Sequence, residues 1–84
     1  MIISVDISYY PLKDSYLAPI SQFIENLNTY PEILVRTNPM STQLIGPYSS
    51  VFNALQTEIK RSFENPDSVF VLKIVNMDLT EIPK

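Results

Sequence analysis

The spacing of apolar residues changes repeatedly along this 84-residue chain, and the order of those changes restricts its fold more than any other feature. Residues 2–10, IISVDISYY, alternate between apolar and polar side chains, which predicts a β-strand that stops at Pro11. The next apolar residues recur at helical spacing, which predicts an amphipathic helix that starts near Leu17 or Ala18. We expect this helix to end near Asn28, with that residue in the left-handed conformation of a C-cap.

Two short strands are predicted in the middle of the chain, at residues 33–37 and 41–45, with a turn over residues 38–40. Gly46 and Pro47 follow the second of these strands. We interpret them as the N-cap and first residue of a second helix, because glycine is accepted as a cap and proline is favoured just inside a helix. A single glycine without a following lysine is too little for a phosphate-binding loop.

The second helix and a fourth strand complete the pattern. The helix has apolar residues along one side, and we expect these to be buried: Val51, Phe52, Leu55, Ile59 and Phe63. A turn at residues 65–67 then precedes a strand at 68–75, SVFVLKIV, and the tail MDLTEIPK at residues 77–84 is expected to be irregular.

The resulting order of elements, β-α-β-β-α-β, predicts a single ferredoxin-like α+β domain over residues 1–84. In such a sandwich, two helices cover one face of a four-stranded antiparallel sheet. The right-handed crossover rule makes strands one and three the central pair.

The composition excludes several classes of function. Nine acidic residues against six scattered basic ones give a net charge of −3, so we expect no binding to nucleic acid. Cysteine and histidine are absent, which removes thiolate nucleophiles, imidazole bases and Cys/His zinc sites. We therefore expect no metal, no cofactor, no catalytic residues and no enzymatic activity. The chain has neither a signal-peptide pattern nor a membrane-length apolar run, so we expect a cytoplasmic protein without membrane contacts.

The sheet face not covered by helices has a mixed character. Asp6, Ser8 and Tyr10 alternate with the apolar residues of strand one and should share this open face. Strand four adds Val69, Val71, Lys73 and Val75 to the same face, whereas Phe70, Leu72 and Ile74 should face the helices. An open face that is partly apolar and partly polar favours contact with another subunit, with a ligand, or with both.

Asp6 is the most informative residue of this face, because an aspartate is unfavourable in a central strand. One interpretation is a cross-strand ion pair with Arg36 or Lys73. The other is that its carboxylate accepts a hydrogen bond from an amino group of a ligand.

Two segments together resemble a known family. DISYYPL (6–12) resembles the first-strand pattern of the YkoF-like thiamine-binding protein family, and PMSTQLIG (39–46) resembles that family's hairpin and third strand. The resemblance implies a ferredoxin-like subunit that forms homodimers or homotetramers through its sheet faces or edges. It also implies binding of thiamine or its hydroxymethylpyrimidine moiety, at the sheet face or subunit interface, in a family for which no catalysed reaction is established in general.

The positions that match the family's motifs give the ligand-binding residues that the resemblance implies: Asp6, Ser8, Tyr10, Thr37, Asn38, Met40, Ser41 and Thr42. In this interpretation Asp6 and the hydroxyls bind the edge of the aminopyrimidine, while Tyr10 and Met40 provide apolar or stacking surface. The chain departs from the family at Lys13, where a glycine is common, and at Val71 and Val75 of strand four. The alternative function is a structural or regulatory oligomer without a thiamine-type ligand.

Overall fold

The computed structural model describes residues 1–12, 17–64 and 67–81. Its elements are β1 (Ile2–Pro11), α1 (Leu17–Leu27), β2 (Leu34–Thr37), β3 (Thr42–Pro47), α2 (Tyr48–Phe63) and β4 (Ser68–Val75). The strands form one antiparallel sheet in the order β2-β3-β1-β4. This is the predicted ferredoxin-like βαββαβ fold, with β1 and β3 in the centre. None of the described helices is long and apolar enough to cross a membrane.

The core lies between the sheet and the two helices. Ile3, Val5 and Ile7 project from β1 toward the helices and are 1–2% exposed. The other buried residues that pack against them come from every layer of the fold: Phe23, Leu27, Ile33, Leu44, Val51, Ala54 and Leu55. Because complete burial of one aliphatic side chain contributes about 1.5–3 kcal/mol, this inner face of β1 is a major source of the stability.

An aromatic cluster closes the core at the end of β1. The ring of Tyr9 stacks on Phe70 of β4 with centroids 4.4 Å apart, and Phe23 of α1 meets Tyr9 edge to face at 5.2 Å. Phe63 packs edge-on against Phe70 at 5.5 Å. These contacts confirm the predicted inward direction of Phe70. Ile74 is different: it lies opposite Val5, on the same side of the sheet, but remains 48% exposed.

The buried stripe of α2 differs from the predicted one. Its members recur at helical spacing and are Val51, Ala54, Leu55, Glu58 and Ser62. Phe52 and Phe63 were expected to be buried, yet they are 36% and 55% exposed. The small side chain of Ala54 is completely buried in this stripe, whereas the two phenylalanines lie at its margin.

The buried carboxylate of Glu58, on α2, is compensated by two neighbouring side chains. The Glu58 carboxylate is almost fully buried and accepts a hydrogen bond from the Tyr30 hydroxyl at 2.7 Å. Arg61, one turn further along the helix, places Nη1 3.3 Å from the other carboxylate oxygen. Burial, and then the hydrogen bond to Glu58, raise the pKa of Tyr30.

The prediction that Gly46 caps α2 is wrong. β3 continues through Gly46, which lies opposite Ile3, and ends at Pro47, directly before the helix. Gly46 has no positive φ, so conformational freedom does not explain it. The reason is proximity: a Cβ at this position would lie 2.8 Å from the carbonyl oxygen of Glu32.

Several element boundaries also shift from their predicted positions. Pro11 was expected to end the pairing but belongs to β1 and lies opposite Ser68, at the strand end where a proline is tolerated. α1 begins where predicted. No described residue has a positive φ, so the prediction of a left-handed C-cap at Asn28 is wrong. The side-chain amide of Asn28 instead donates to the Ile24 carbonyl at 3.0 Å. Lys13 and most of the turn at 65–67 lie outside the described residues.

We predict that Gly46→Ala destabilises the fold by about 1–3 kcal/mol, because the added methyl group forces β3 away from the Glu32 carbonyl. Urea unfolding followed by circular dichroism measures the change. Gln56→Ala, at an exposed position of α2, is the control and should change stability by less than about 0.5 kcal/mol. Equal midpoints for the Gly46→Ala variant and the unsubstituted protein would contradict the steric explanation.

Candidate functional site: two cavities beside β1

The end of β1 is paired on one side only. Its pairing with β3 stops at Ile7 and Thr42, whereas its pairing with β4 continues to Pro11 and Ser68. Among the described strands, none pairs with the β3-side edge of residues 8–11. The chain connecting β2 to β3 diverges at this point, and a cavity opens between it, β1 and α1.

We call this space the hairpin cavity. It has a volume of about 350 Å³. Ile20, Phe23 and Ile24 of α1 form its apolar wall. The opposite side is more polar and contains six of the predicted ligand-binding residues: Ser8, Tyr10, Asn38, Met40, Ser41 and Thr42. Its size and its combination of apolar wall and few polar groups are typical of small-molecule sites.

The connection between β2 and β3 is held by Asn38. The side-chain oxygen of Asn38 accepts hydrogen bonds from the backbone N–H groups of Met40 at 2.7 Å and Ser41 at 2.9 Å. The N–H of Asn38 donates to the Ser41 carbonyl at 3.0 Å. This is an Asx turn, in which a short side chain replaces backbone hydrogen bonds. It fixes Ser41 at the cavity and leaves Met40 at the tip, 84% exposed.

Asp6 is bound to this hairpin rather than to a basic residue. Its Oδ1 accepts a hydrogen bond from the Ser41 hydroxyl at 2.6 Å. Neither Arg36 nor Lys73 forms an ion pair with it, and Arg61–Glu58 is the one ion pair among the described residues. The ion-pair interpretation of Asp6 is therefore wrong. Asp6 does not line the hairpin cavity but contacts it through Ser41.

The two threonines differ in their positions. Thr42 lies opposite Ile7 and is 7% exposed, so it reaches the hairpin cavity from the helix side and not from the face of Asp6 and Ser8. Thr37 ends β2 opposite Thr42 and lines neither of the cavities described here. Of the eight predicted residues, Asp6 and Thr37 therefore lie outside the hairpin cavity. The α1 wall was missed because its residues have the spacing of an ordinary core stripe.

The open face carries two rows of side chains that cross all four strands. The polar row, from β2 to β4, is Arg36, Gln43, Asp6 and Lys73. The neighbouring row is Leu34, Ile45, Ser4 and Val75. A second cavity of about 360 Å³ lies over both rows, and we call it the face cavity. Its surface is mostly apolar, and Leu79 contributes to its lining.

Leu79 belongs to the C-terminal segment, residues 76–81, which crosses the open face. Ser4 is buried beneath it: its hydroxyl donates to the Met77 carbonyl at 2.7 Å and accepts from the Leu79 N–H at 3.0 Å. The Arg36 guanidinium donates to the carbonyls of Leu79 at 2.7 Å and Thr80 at 2.9 Å. Arg36 is therefore engaged by the segment, which explains why it does not pair with Asp6.

The segment also stabilises its own bend. The Asp78 carboxylate accepts hydrogen bonds from the N–H of Thr80, at 2.9 Å, and from its hydroxyl. These hydrogen bonds lower the pKa of Asp78. The irregular structure predicted for residues 77–84 is confirmed for residues 77–81, the part that the structure describes, but the sequence has no periodic signal for their contacts with the sheet.

Comparison with solved structures supports the fold. A hypothetical protein from Methanocaldococcus jannascii superposes with a TM-score of 0.78 at 25% identity, over 95% of this chain and 84% of that one. A protein from Streptococcus pneumoniae superposes with a TM-score of 0.84 at 22% sequence identity, over 98% of this chain and 93% of that one. A "putative thiamine biosynthesis/salvage protein" from Thermotoga maritima superposes with a TM-score of 0.79 at 16% sequence identity, over 88% of this chain and 82% of that one. No family model and no curated protein matches the chain. The chain is thus a small ferredoxin-like domain.

We predict that Asn38→Ala destabilises the protein by about 1 kcal/mol, because two backbone N–H groups lose their acceptor. Hydrogen exchange should quicken at the amides of Met40 and Ser41, which NMR measures directly. Asn38→Asp keeps an accepting oxygen and is the matched control. Unchanged exchange at both amides in the alanine variant would show that the turn does not depend on this side chain.

Proposed function

We propose that this protein is a homo-oligomer that binds thiamine or a hydroxymethylpyrimidine-type ligand in the hairpin cavity. The observation that carries the proposal is the convergence, on one cavity, of six residues that sequence resemblance implied as ligand-binding. The similar structure described as a thiamine biosynthesis/salvage protein adds support from fold alone.

The chemistry of the lining suits an aminopyrimidine. Such a ring is flat and apolar on its faces, and its edge carries acceptor nitrogens and an amino donor. The apolar wall of Ile20, Phe23 and Ile24 suits a ring face. Ser8 and Thr42 have hydroxyls that can donate to ring nitrogens or accept from the amino group.

Ser41 has a more restricted role in this proposal. A hydroxyl has a single O–H to donate, and that of Ser41 is directed to Asp6. Toward a ligand, Ser41 can therefore act only as an acceptor, and the neighbouring carboxylate increases the electron density on its oxygen. The pair thus favours a donor, such as the exocyclic amino group of a pyrimidine, and disfavours a carbonyl at the same position.

We propose binding rather than catalysis. The polar side chains that line the hairpin cavity provide hydroxyl groups and an amide. The Ser41 hydroxyl donates to the Asp6 carboxylate, but a carboxylate is by itself too weak a base to activate a serine hydroxyl as a nucleophile.

Titration calorimetry with thiamine, hydroxymethylpyrimidine and thiamine phosphate tests the ligand. We expect saturable heat with at least one of them and a loss of about tenfold or more in affinity for Asp6→Ala and Ser41→Ala, since the acceptor is then lost or left unpolarised. Glu25→Ala removes an exposed carboxylate that lines neither cavity and is the control. Absence of heat with all three compounds would refute the thiamine-type ligand and leave the structural or regulatory oligomer as the function.

Self-association is the second part of the proposal. β4 is an edge strand of eight residues, and no described strand pairs with its outer side. Val69 and Val71 are 45% and 50% exposed, and Tyr10 beside them is 52% exposed. A long, apolar strand edge is a template for pairing with another chain, and a two-fold axis perpendicular to the sheet beside β4 would join two sheets by antiparallel pairing.

We predict that light scattering after gel filtration gives at least twice the 9.6 kDa subunit mass at micromolar concentration. Val71→Asp should shift the protein toward the monomer, because two carboxylates would be brought together near the symmetry axis. Gln56→Asp adds the same charge to an exposed position of α2 and should leave the mass unchanged. A monomeric unsubstituted protein would refute the oligomer without affecting the ligand proposal.

A further inference from the structure

The face cavity holds two opposite charges that do not pair. Asp6 and Lys73 lie directly opposite each other on β1 and β4, and both line the cavity. The two side chains nevertheless form no ion pair, so the Lys73 nitrogen lies more than 4.0 Å from the Asp6 carboxylate oxygens. The Ser41 hydroxyl occupies only Oδ1 of Asp6, so Oδ2 remains available to a ligand.

The rest of the face cavity is apolar. Ile45 and Val75 form its floor in the row next to the charges, and Leu79 stands over them from the C-terminal segment. The buried Ser4 hydroxyl donates to the Met77 carbonyl and accepts from the Leu79 N–H, and these two hydrogen bonds hold Leu79 in place. The apolar wall is therefore formed before a ligand arrives, which lowers the entropic cost of binding.

This arrangement of charges restricts the chemistry of the occupant. A cation would satisfy Asp6 and leave the Lys73 ammonium without a partner, and an anion would do the reverse. A molecule with an ammonium and a carboxylate on one carbon atom presents both charges together, and an apolar substituent on that carbon would lie over Ile45 and Val75. Volumes of a few hundred Å³, such as the 360 Å³ here, suit molecules of this size.

We propose that the face cavity binds an amino acid with a medium-sized apolar side chain, as its zwitterion. The ligand's ammonium donates to the Asp6 carboxylate, and its carboxylate accepts from the Lys73 ammonium. The side chain packs on Ile45, Val75 and Leu79. This site is separate from the hairpin cavity, and the two share only Asp6, which reaches the hairpin cavity through Ser41.

Titration of the full chain by two-dimensional NMR with L-leucine and L-phenylalanine tests the proposal. We expect saturable shifts of the backbone amides of Gln43, Lys73 and Leu79. Isopentylamine and 4-methylpentanoate each retain the apolar part of leucine and one of its charges, and glycine retains both charges without the apolar part. Each of these three should bind at least about tenfold more weakly than leucine, because each leaves part of the cavity unsatisfied.

Variants then locate the site independently of the thiamine-type ligand. Lys73→Met should weaken leucine binding by about tenfold and reduce its preference over isopentylamine, since the partner of the carboxylate is lost. Leu79→Ser should weaken binding of leucine more than that of glycine. Ser8→Ala, in the hairpin cavity alone, should leave leucine binding unchanged.

Two results would overturn the proposal. The first is the absence of saturation with both leucine and phenylalanine. The second is an affinity for leucine that Lys73→Met leaves unchanged. Neither result depends on whether thiamine binds, because Lys73 and Leu79 do not line the hairpin cavity.

Discussion

Hydrophobic packing on the inner face of β1 is the interaction on which the other features depend. Ile3, Val5 and Ile7 are almost fully buried against both helices, while the strand is paired on each side. A shift of one residue in register would turn this apolar set outward, so the register is strongly fixed. The same alternation then presents Ser4 and Asp6 to the open face. Burial of Ile3, Val5 and Ile7 thus determines where Ser4 and Asp6 lie on the open face.

Asp6 connects the two cavities. It belongs to the polar row under the face cavity, and its hydrogen bond from Ser41 reaches the edge of the hairpin cavity. An aspartate in a central strand costs stability unless its carboxylate has hydrogen-bond partners, and here one partner comes from the neighbouring hairpin. Asp6, whose residue type is unfavourable in a central strand, therefore contacts both the hairpin and the face cavity.

Periodic features could be predicted from the sequence, and features that depend on close approach could not. The run SVFVLKIV, apolar on both faces apart from Lys73, indicated β4 with its observed bounds, and the apolar stripe indicated the start of α1. Gly46 was misinterpreted because its contact with the Glu32 carbonyl exists only after the chain has folded. One of the two interpretations of Asp6 was an ion pair with Arg36 or Lys73, but Arg36 binds the C-terminal segment, whose path has no periodic signal. Of the eight implied ligand-binding residues, six were brought to one cavity, whereas Asp6 and Thr37 were not.

The C-terminal segment has one more consequence, which concerns local motion. It touches the sheet through a few hydrogen bonds between groups more than 40 residues apart in sequence, and it contributes no strand to the ladder. Such a segment can detach and return while the sheet stays intact, with a free energy far below that of global unfolding. The amide of Leu79 should then exchange with solvent through this local opening, whereas the amide of Val5 exchanges only when the whole domain unfolds. Exchange at Leu79 would therefore report on the attachment of this segment to the sheet, and exchange at Val5 would report on the stability of the whole domain.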